Sequence, residues 1–424
     1  MPDLSLQGRG GAFTKSVIVP GDKSLSHRAL LFAAMADGDS LITGLGTGAD
    51  VRSTASVLSR LGVSISGDRV RSPGVTGWTQ PDAALGCGNS GTTMRLVAGI
   101  LSTSHIQATL IGDESLMRRP MRRLIDPLTA LGGVIAVGAD GTPPIAVGPA
   151  LVPGSASVSI TMASAQVRTA FELAALGGTG PSTIDSPGGF RDHTERWLAA
   201  VGRGHWTSET AFTVTPGPLP AARYEIPGDP SSAAYLWATA AIHPGSTITT
   251  PGVSLNPGRL GFLQILDEMG AAITVEVTGA TGGDPVGDVT VSEHGLTGTT
   301  IDGPLTAAAL DELPLVAIVG AFAEGITSVR GAGELRAKES DRIDSVTAMV
   351  RALGGGIEPR SDGFDVVGTG FLEGGAVTTH HDHRIAMAAA VAATRIPDRV
   401  VIRDAEVAAI SWPSFYATLE ELWS

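Results

Sequence analysis

The 424-residue chain reads as an α/β protein of two domains, built from six copies of one helix–strand unit with three copies in each domain. Three observations predict this. The length is far beyond what one ordinary core supports. Aromatic residues make up only 4% while glycines number 56, a composition suited to small α/β units of Ala, Val, Ile and Leu joined by tight turns. One block also recurs: a polar cluster, an Ala/Leu-rich helix, a glycine turn and a β-branched strand.

The six copies begin at Asp22 (GDKSLSHRALLFAAMADGDSLITG), Asn89 (GNSGTTMRLVAGIL), Ser164 (SAQVRTAFELAALGGTG), Asp229 (GDPSSAAYLWATAAIHPGSTIT), Asp311 (DELPLVAIVGAFAEGITSV) and Asp382 (HDHRIAMAAAVAATRIPDRVVI). Successive starts lie about 65 to 82 residues apart, too long for a solenoid repeat. A second helix that stops at glycine before a strand follows in LSRLGVSI (58–65), LTALGGVI (128–135), LDEMGAAI (266–273) and VRALGGGI (350–357). The third copy, WLAAVGRGH (197–205), reads as less regular.

Each unit opens with Asp, Ser or Asn before an apolar helix, which predicts N-capping. Six such helix starts present unpaired N–H groups and positive dipole ends. If those ends converge, the space between them favours anions. The stretch Ile226-Pro227-Gly228-Asp229-Pro230 reads as a linker between the third and fourth units.

The net charge of −13 argues against nonspecific nucleic-acid binding but leaves room for a local cluster of cations around a small anion. No stretch of about 18 apolar residues predicts a membrane span. The first eleven residues lack the pattern of a secretory signal, and the single cysteine, Cys87, excludes an internal disulfide. A cytoplasmic protein is expected. Lysine occurs only at 15, 23 and 338.

Several polar stretches stand at predicted element boundaries. PGDKSLSHRA (20–29) places Lys23, Ser24 and Arg28 around the first helix start. LGCGNSGTTMRL (85–96) is a glycine-rich turn entering a helix, where backbone can approach a ligand closely. GDESLMRRPM (112–121) presents Arg119 before proline, and SAQVR (164–168) offers hydroxyl and amide groups. DELP (311–314) supplies a carboxylate, LRAKESDR (335–342) gathers Lys338, Glu339 and Arg342, and HHDHRIAM (380–387) carries Arg384.

In order, DKS-SHR, GNSGT-MR, RRP, SAQ, RDHTE, DELP, KESDR and DHR resemble the EPSP synthase family over essentially the whole chain. The resemblance implies the enolpyruvate transferase fold, a two-domain inside-out α/β barrel. It also implies that residues 1–19 join 229–424 in one domain while 20–228 form the other. The implied activity is transfer of the enolpyruvyl group of phosphoenolpyruvate to the 5-hydroxyl of shikimate 3-phosphate, with release of phosphate through a tetrahedral intermediate. No metal or organic cofactor is implied, and a monomer is expected.

Carried onto this chain, the resemblance assigns shikimate 3-phosphate to Lys23, Ser24, Arg28, Ser164, Gln166, Asp311 and Lys338. It assigns phosphoenolpyruvate to Lys23, Gly91, Arg119, Gln166, Arg342 and Arg384. Asp311 and Glu339 are the implied acid–base pair, with Lys23 near the departing phosphate. These types suit substrates that each carry a carboxylate and a phosphate of about −1.5 to −2 charge. Arginine grips such groups through two N–H bonds, and lysine acts as a point charge. Closure of the two halves on shikimate 3-phosphate is expected, as is inhibition by glyphosate in competition with phosphoenolpyruvate, since Gly91 leaves room for it.

The chain departs from the family pattern at four places. Ile410 stands where many members have lysine, and Phe190 where a hydroxyl residue is usual, with Ser186 a candidate replacement. Ala165 and Glu334 replace the Ser and Asn of one branch. The histidines at 380, 381 and 383 match no standard zinc spacing. His27 and His193 read as local hydrogen-bonding groups, Cys87 as a buried small residue, and Trp78, Trp197, Trp206 and Trp237 as packing. The nearest rival is UDP-N-acetylglucosamine enolpyruvyl transferase, which usually carries a loop cysteine that GDESLMRRPM lacks. A silent anion-binding paralogue is the other alternative.

Overall fold

The computed structural model describes residues 3–150 and 153–424. Among them, six long helices are buried nearly all round: Lys23–Met35, Gly91–Ser102, Ala165–Ala175, Pro230–Ile242, Leu313–Phe322 and His383–Arg395. Their sequences explain this, because runs such as AAYLWATAAI and LPLVAIVGAF have no polar face to turn toward water. Every residue of Pro230–Ile242 is buried.

The chain divides into two compact units, residues 1–20, 228–279 and 285–424 in one, and 21–227 with 280–284 in the other. The second unit thus includes a short segment, 280–284, that the repeat pattern assigns elsewhere; there Asp284 Oδ2 meets His193 Nδ1 at 2.9 Å and Gly282 packs on Trp197. Among the described residues, each unit has its own core and three sheets.

Five sheets share one plan of four strands, illustrated by Ile145–Val147 and its neighbours. Leu85–Gly86 runs parallel to Ala108–Ile111, which pairs antiparallel with Ile145–Val147, which in turn pairs antiparallel with Ile135–Ala136. The sixth sheet has three strands, with Gly375–Thr378 parallel and Leu4–Leu6 antiparallel to Val400–Arg403. This is the inside-out arrangement, with helices as the core and sheets as the wall.

The outer helices end at glycine as expected. Ala49–Arg60, Ile125–Ala130, Gly261–Glu268 and Arg342–Ala352 are followed by Gly62, Gly132, Gly270 and Gly354, all at positive φ. The third copy is no exception, contrary to the expectation from its sequence. His193–Ala200 ends before Gly202 at φ 68°, and the strand Gly204–Trp206 begins at once. Its charged and aromatic residues hide a regular unit because Trp197 is core, stacked on Tyr224 at 5.3 Å. No helix among the described residues is long and apolar enough to cross a membrane.

Candidate functional site

The inner helix starts differ in how they are capped. Asp22 accepts from Leu25 N, Ser90 from Thr93 N, Asp229 from Ser231 N and Asp382 from Arg384 N. The second cap is thus Ser90, one residue past the Asn89 expected. Ser164 makes no side-chain cap, and the fifth helix starts at Leu313 after Glu312, so Asp311 is not a cap at all. Capping accounts for four of the six starts and leaves the Ser164 and Asp311 side chains uncommitted to their helices.

In the unit containing residues 21–227, the three helix starts are linked by polar contacts. Lys23 Nζ lies 3.2 Å from Asp50 Oδ2, and the Asp50 carbonyl accepts from Thr93 Oγ1 at 3.4 Å. Gln166 donates to Thr92 Oγ1 at 3.0 Å and accepts from Arg95 Nη1 at 2.5 Å. Arg119 Nη2 donates to Asn89 Oδ1 at 2.6 Å. A Cβ built on Gly91 would lie 2.7 Å from Arg95 Nη1 and 3.6 Å from Arg119 Nη1, so the glycine makes room for two guanidinium groups. Arg118, beside it, is exposed and pairs with Glu114.

Arg28 is buried and held by Thr194 Oγ1 at 2.8 Å, Thr169 Oγ1 at 3.0 Å and the Ser24 carbonyl at 3.0 Å. On the same helix as Thr169, Arg168 pairs with Glu195 at 2.7 Å, and burial together with Glu195 pushes the Glu172 carboxyl well above the usual carboxylate range. His27 Nδ1 meets Thr54 Oγ1 at 2.7 Å, and burial pushes its ring down to about 3. It is a neutral hydrogen-bonding group at physiological pH. Burial pushes the Cys87 thiol up to about 12, which leaves it unreactive.

In the other unit, one guanidinium organises the acidic residues. Arg342 is 1% exposed; its Nη1 reaches Asp311 at 3.5 Å, its Nη2 reaches Glu339 at 2.6 Å, and its Nε reaches Asp382 at 2.8 Å. Lys338 Nζ approaches Asp311 at 3.3 Å, and Arg384 Nη1 donates to Glu312 at 2.8 Å. Burial opposes the Arg342 charge, but Asp382, Glu339 and Asp311 outweigh it and raise its pKa. Burial likewise opposes the Asp382 charge, and Arg342 outweighs it, holding that carboxyl below its ordinary range. Left-handed backbone at His380 and His381 forms the turn that delivers Asp382 to this position.

Within one unit the structure thus gathers Lys23, Ser24, Arg28, Gly91, Arg119 and Gln166, and within the other Asp311, Lys338, Glu339, Arg342 and Arg384. Ser164 lies at the start of the Gln166 helix. The sequence does not single out Arg95, Asp50 or Glu312, and it marks Asn89 only as a helix start. Arg95 lies inside LGCGNSGTTMRL, but nothing in its spacing sets it apart from a surface arginine. Of the departures, Phe190 lies over the Arg168 guanidinium at 4.1 Å. Ser186 is buried and accepts from Arg168 at 3.0 Å, so its hydroxyl is already engaged. Glu334 is exposed, and Ile410 packs against the core.

A family model for EPSP synthase (3-phosphoshikimate 1-carboxyvinyltransferase) matches residues 8–419. The 3-phosphoshikimate 1-carboxyvinyltransferase of Herpetosiphon aurantiacus is 43% identical over 418 residues, covering 96% of this chain and 97% of its own. The corresponding protein of Chloroflexus aurantiacus is 45% identical over 413 residues, covering 95% and 94%. The structure of EPSP synthase from Acinetobacter baumannii superimposes with a TM-score of 0.89 at 36% identity, covering 99% of this chain and 98% of that one. The enolpyruvyl transferase NikO of Streptomyces tendae, at 17% identity and a TM-score of 0.77, shares the fold.

Proposed function

The chain belongs to the EPSP synthase (3-phosphoshikimate 1-carboxyvinyltransferase) family, and from that premise we propose that it transfers the enolpyruvyl group of phosphoenolpyruvate to the 5-hydroxyl of shikimate 3-phosphate. The observation that carries the chemistry is the pair of half-buried carboxylates, Asp311 and Glu339, both held by the Arg342 guanidinium.

Shikimate 3-phosphate is held by Lys23, Ser24, Arg28, Ser164, Gln166, Asp311 and Lys338, and phosphoenolpyruvate by Lys23, Gly91, Arg119, Gln166, Arg342 and Arg384. Asp311 takes the 5-hydroxyl proton as that oxygen bonds to C2 of phosphoenolpyruvate, and Glu339 gives a proton to C3. The tetrahedral adduct then returns a proton from C3 to Glu339 as its C2–O bond to phosphate breaks, the phosphate leaves with the proton that Asp311 took, and Lys23 balances charge on the departing group. The new enol ether and inorganic phosphate account for every atom. Acid, base and cations suffice, so no metal or organic cofactor takes part. Glyphosate competes with phosphoenolpyruvate beside Gly91, and the enzyme works as a cytoplasmic monomer.

The absence of cysteine from GDESLMRRPM, and the burial of the chain's single cysteine, favour shikimate 3-phosphate over UDP-N-acetylglucosamine as acceptor. The test is a coupled phosphate-release assay on the wild type and on Asp311→Ala and Glu339→Ala. Each substitution is expected to lower kcat by roughly 10²–10⁴, the worth of one general acid or base. Undiminished turnover in both variants would remove this assignment.

A further inference from the structure

Arg95 has no role in the chemistry above, yet it bonds both the Gln166 amide and the backbone next to Arg119. It sits on the second inner helix, Gly91–Ser102, and is only 5% exposed. Its Nη1 donates to Gln166 Oε1 at 2.5 Å and its Nη2 to the carbonyl of Pro120, the residue after Arg119, at 3.3 Å. Its Nε is buried without a partner. The absent side chain of Gly91 gives Nη1 its place.

A buried guanidinium ordinarily sits against a carboxylate, because desolvation makes an unpaired charge costly. Among the described residues no acid neighbours Arg95; burial first, then Arg123 and Arg119, push its ionisation down to about 9, still leaving it charged at neutral pH. The missing counter-charge is the feature an anionic ligand supplies.

The geometry also fixes an orientation. Arginine only donates, so it must face the carbonyl oxygen of Gln166, and the amide nitrogen is thereby turned toward Thr92 Oγ1 at 3.0 Å. We propose that Arg95 is a positioning residue for phosphoenolpyruvate: it sets the Gln166 amide, anchors the backbone that carries Arg119, and holds beside Gly91 a positive charge that the bound anion neutralises. The inference rests on the reading that Gln166 and Arg119 hold phosphoenolpyruvate.

The experiment is steady-state kinetics on the wild type, Arg95→Gln, Gln166→Ala and the double variant. Arg95→Gln is expected to raise KM for phosphoenolpyruvate at least tenfold, to raise KM for shikimate 3-phosphate by less, and to change kcat less than threefold. In the Gln166→Ala background the same substitution is expected to add less than threefold, because the group through which it acts is gone. An unchanged KM for phosphoenolpyruvate, or fully additive effects, overturns the proposal. If Arg95→Gln does not fold, Arg95→Lys keeps the charge but loses the planar fork; a KM raised severalfold supports the proposal and a wild-type KM overturns it. A wild type that releases no phosphate from the two substrates refutes the proposed activity instead. The crystal structure of the Arg95 variant then decides the positioning claim: a rotated or disordered Gln166 amide supports it, and an unmoved one overturns it.

Discussion

His27 shows how one side chain records the cost of assembling a polar site inside an apolar core. It is fully buried, bonded through Nδ1 to Thr54, and its Nε2 has no partner. Burial pushes its pKa from an ordinary 6.5 down to about 3, aided by Lys23 and Arg28 and opposed by Asp50. The unfolded chain therefore takes a proton that the folded one refuses. Stability is full above about pH 6.5 and is lost as the pH falls toward 3, at about 1.4 kcal/mol per pH unit. His27→Gln removes this term. Between pH 8 and pH 5 the wild type is expected to lose about 2 kcal/mol more than the variant, or ~4–8 °C in Tm for a unit of this size. Parallel melting curves for the two proteins would show that the ring titrates normally.

At the scale of elements, helix contact is set by small residues. A Cβ at Gly99 would lie 2.4 Å from the Ala170 carbonyl oxygen, so Gly91–Ser102 and Ala165–Ala175 touch backbone to backbone. These helices carry Gly91 and Gln166 at their starts. Gly99→Val is expected to cost at least ~1–3 kcal/mol by overpacking, lowering Tm by several degrees and raising KM for phosphoenolpyruvate. Gly10→Ala, with open space around its Cβ, is expected to change neither. Equal behaviour of the two variants in a thermal melt would refute the close contact.

The elements were legible in the sequence because each is local: apolar runs make inner helices, and glycine after an outer helix makes the turn. The third unit hides its regularity because its outer helix buries His193, Thr194, Glu195 and Trp197 beside a single aliphatic residue, Leu198. Ser164 and Asp311 do not cap as expected, since a polar residue before a helix does not reveal whether it faces its own backbone or a ligand. Arg95 was unreadable for a related reason. Its burial depends on Pro120 and Gln166, 25 and 71 residues away, and no local pattern encodes that meeting.

For the molecule as a whole, cations gather at the helix starts of both units. Lys23, beside Asp50, lies with Arg28, Arg95 and Arg119 in one, and in the other Lys338, Arg342 and Arg384 lie against Asp311, Glu312, Glu339 and Asp382. A net charge of −13 thus coexists with a concentrated cationic cluster. The family resemblance was legible across both, because its motifs lie at the helix starts of each. The most direct measurement is phosphate release by the purified wild type supplied with phosphoenolpyruvate and either shikimate 3-phosphate or UDP-N-acetylglucosamine. The account predicts stoichiometric release with the first acceptor and none with the second. Turnover with the sugar nucleotide alone, or with neither, contradicts it.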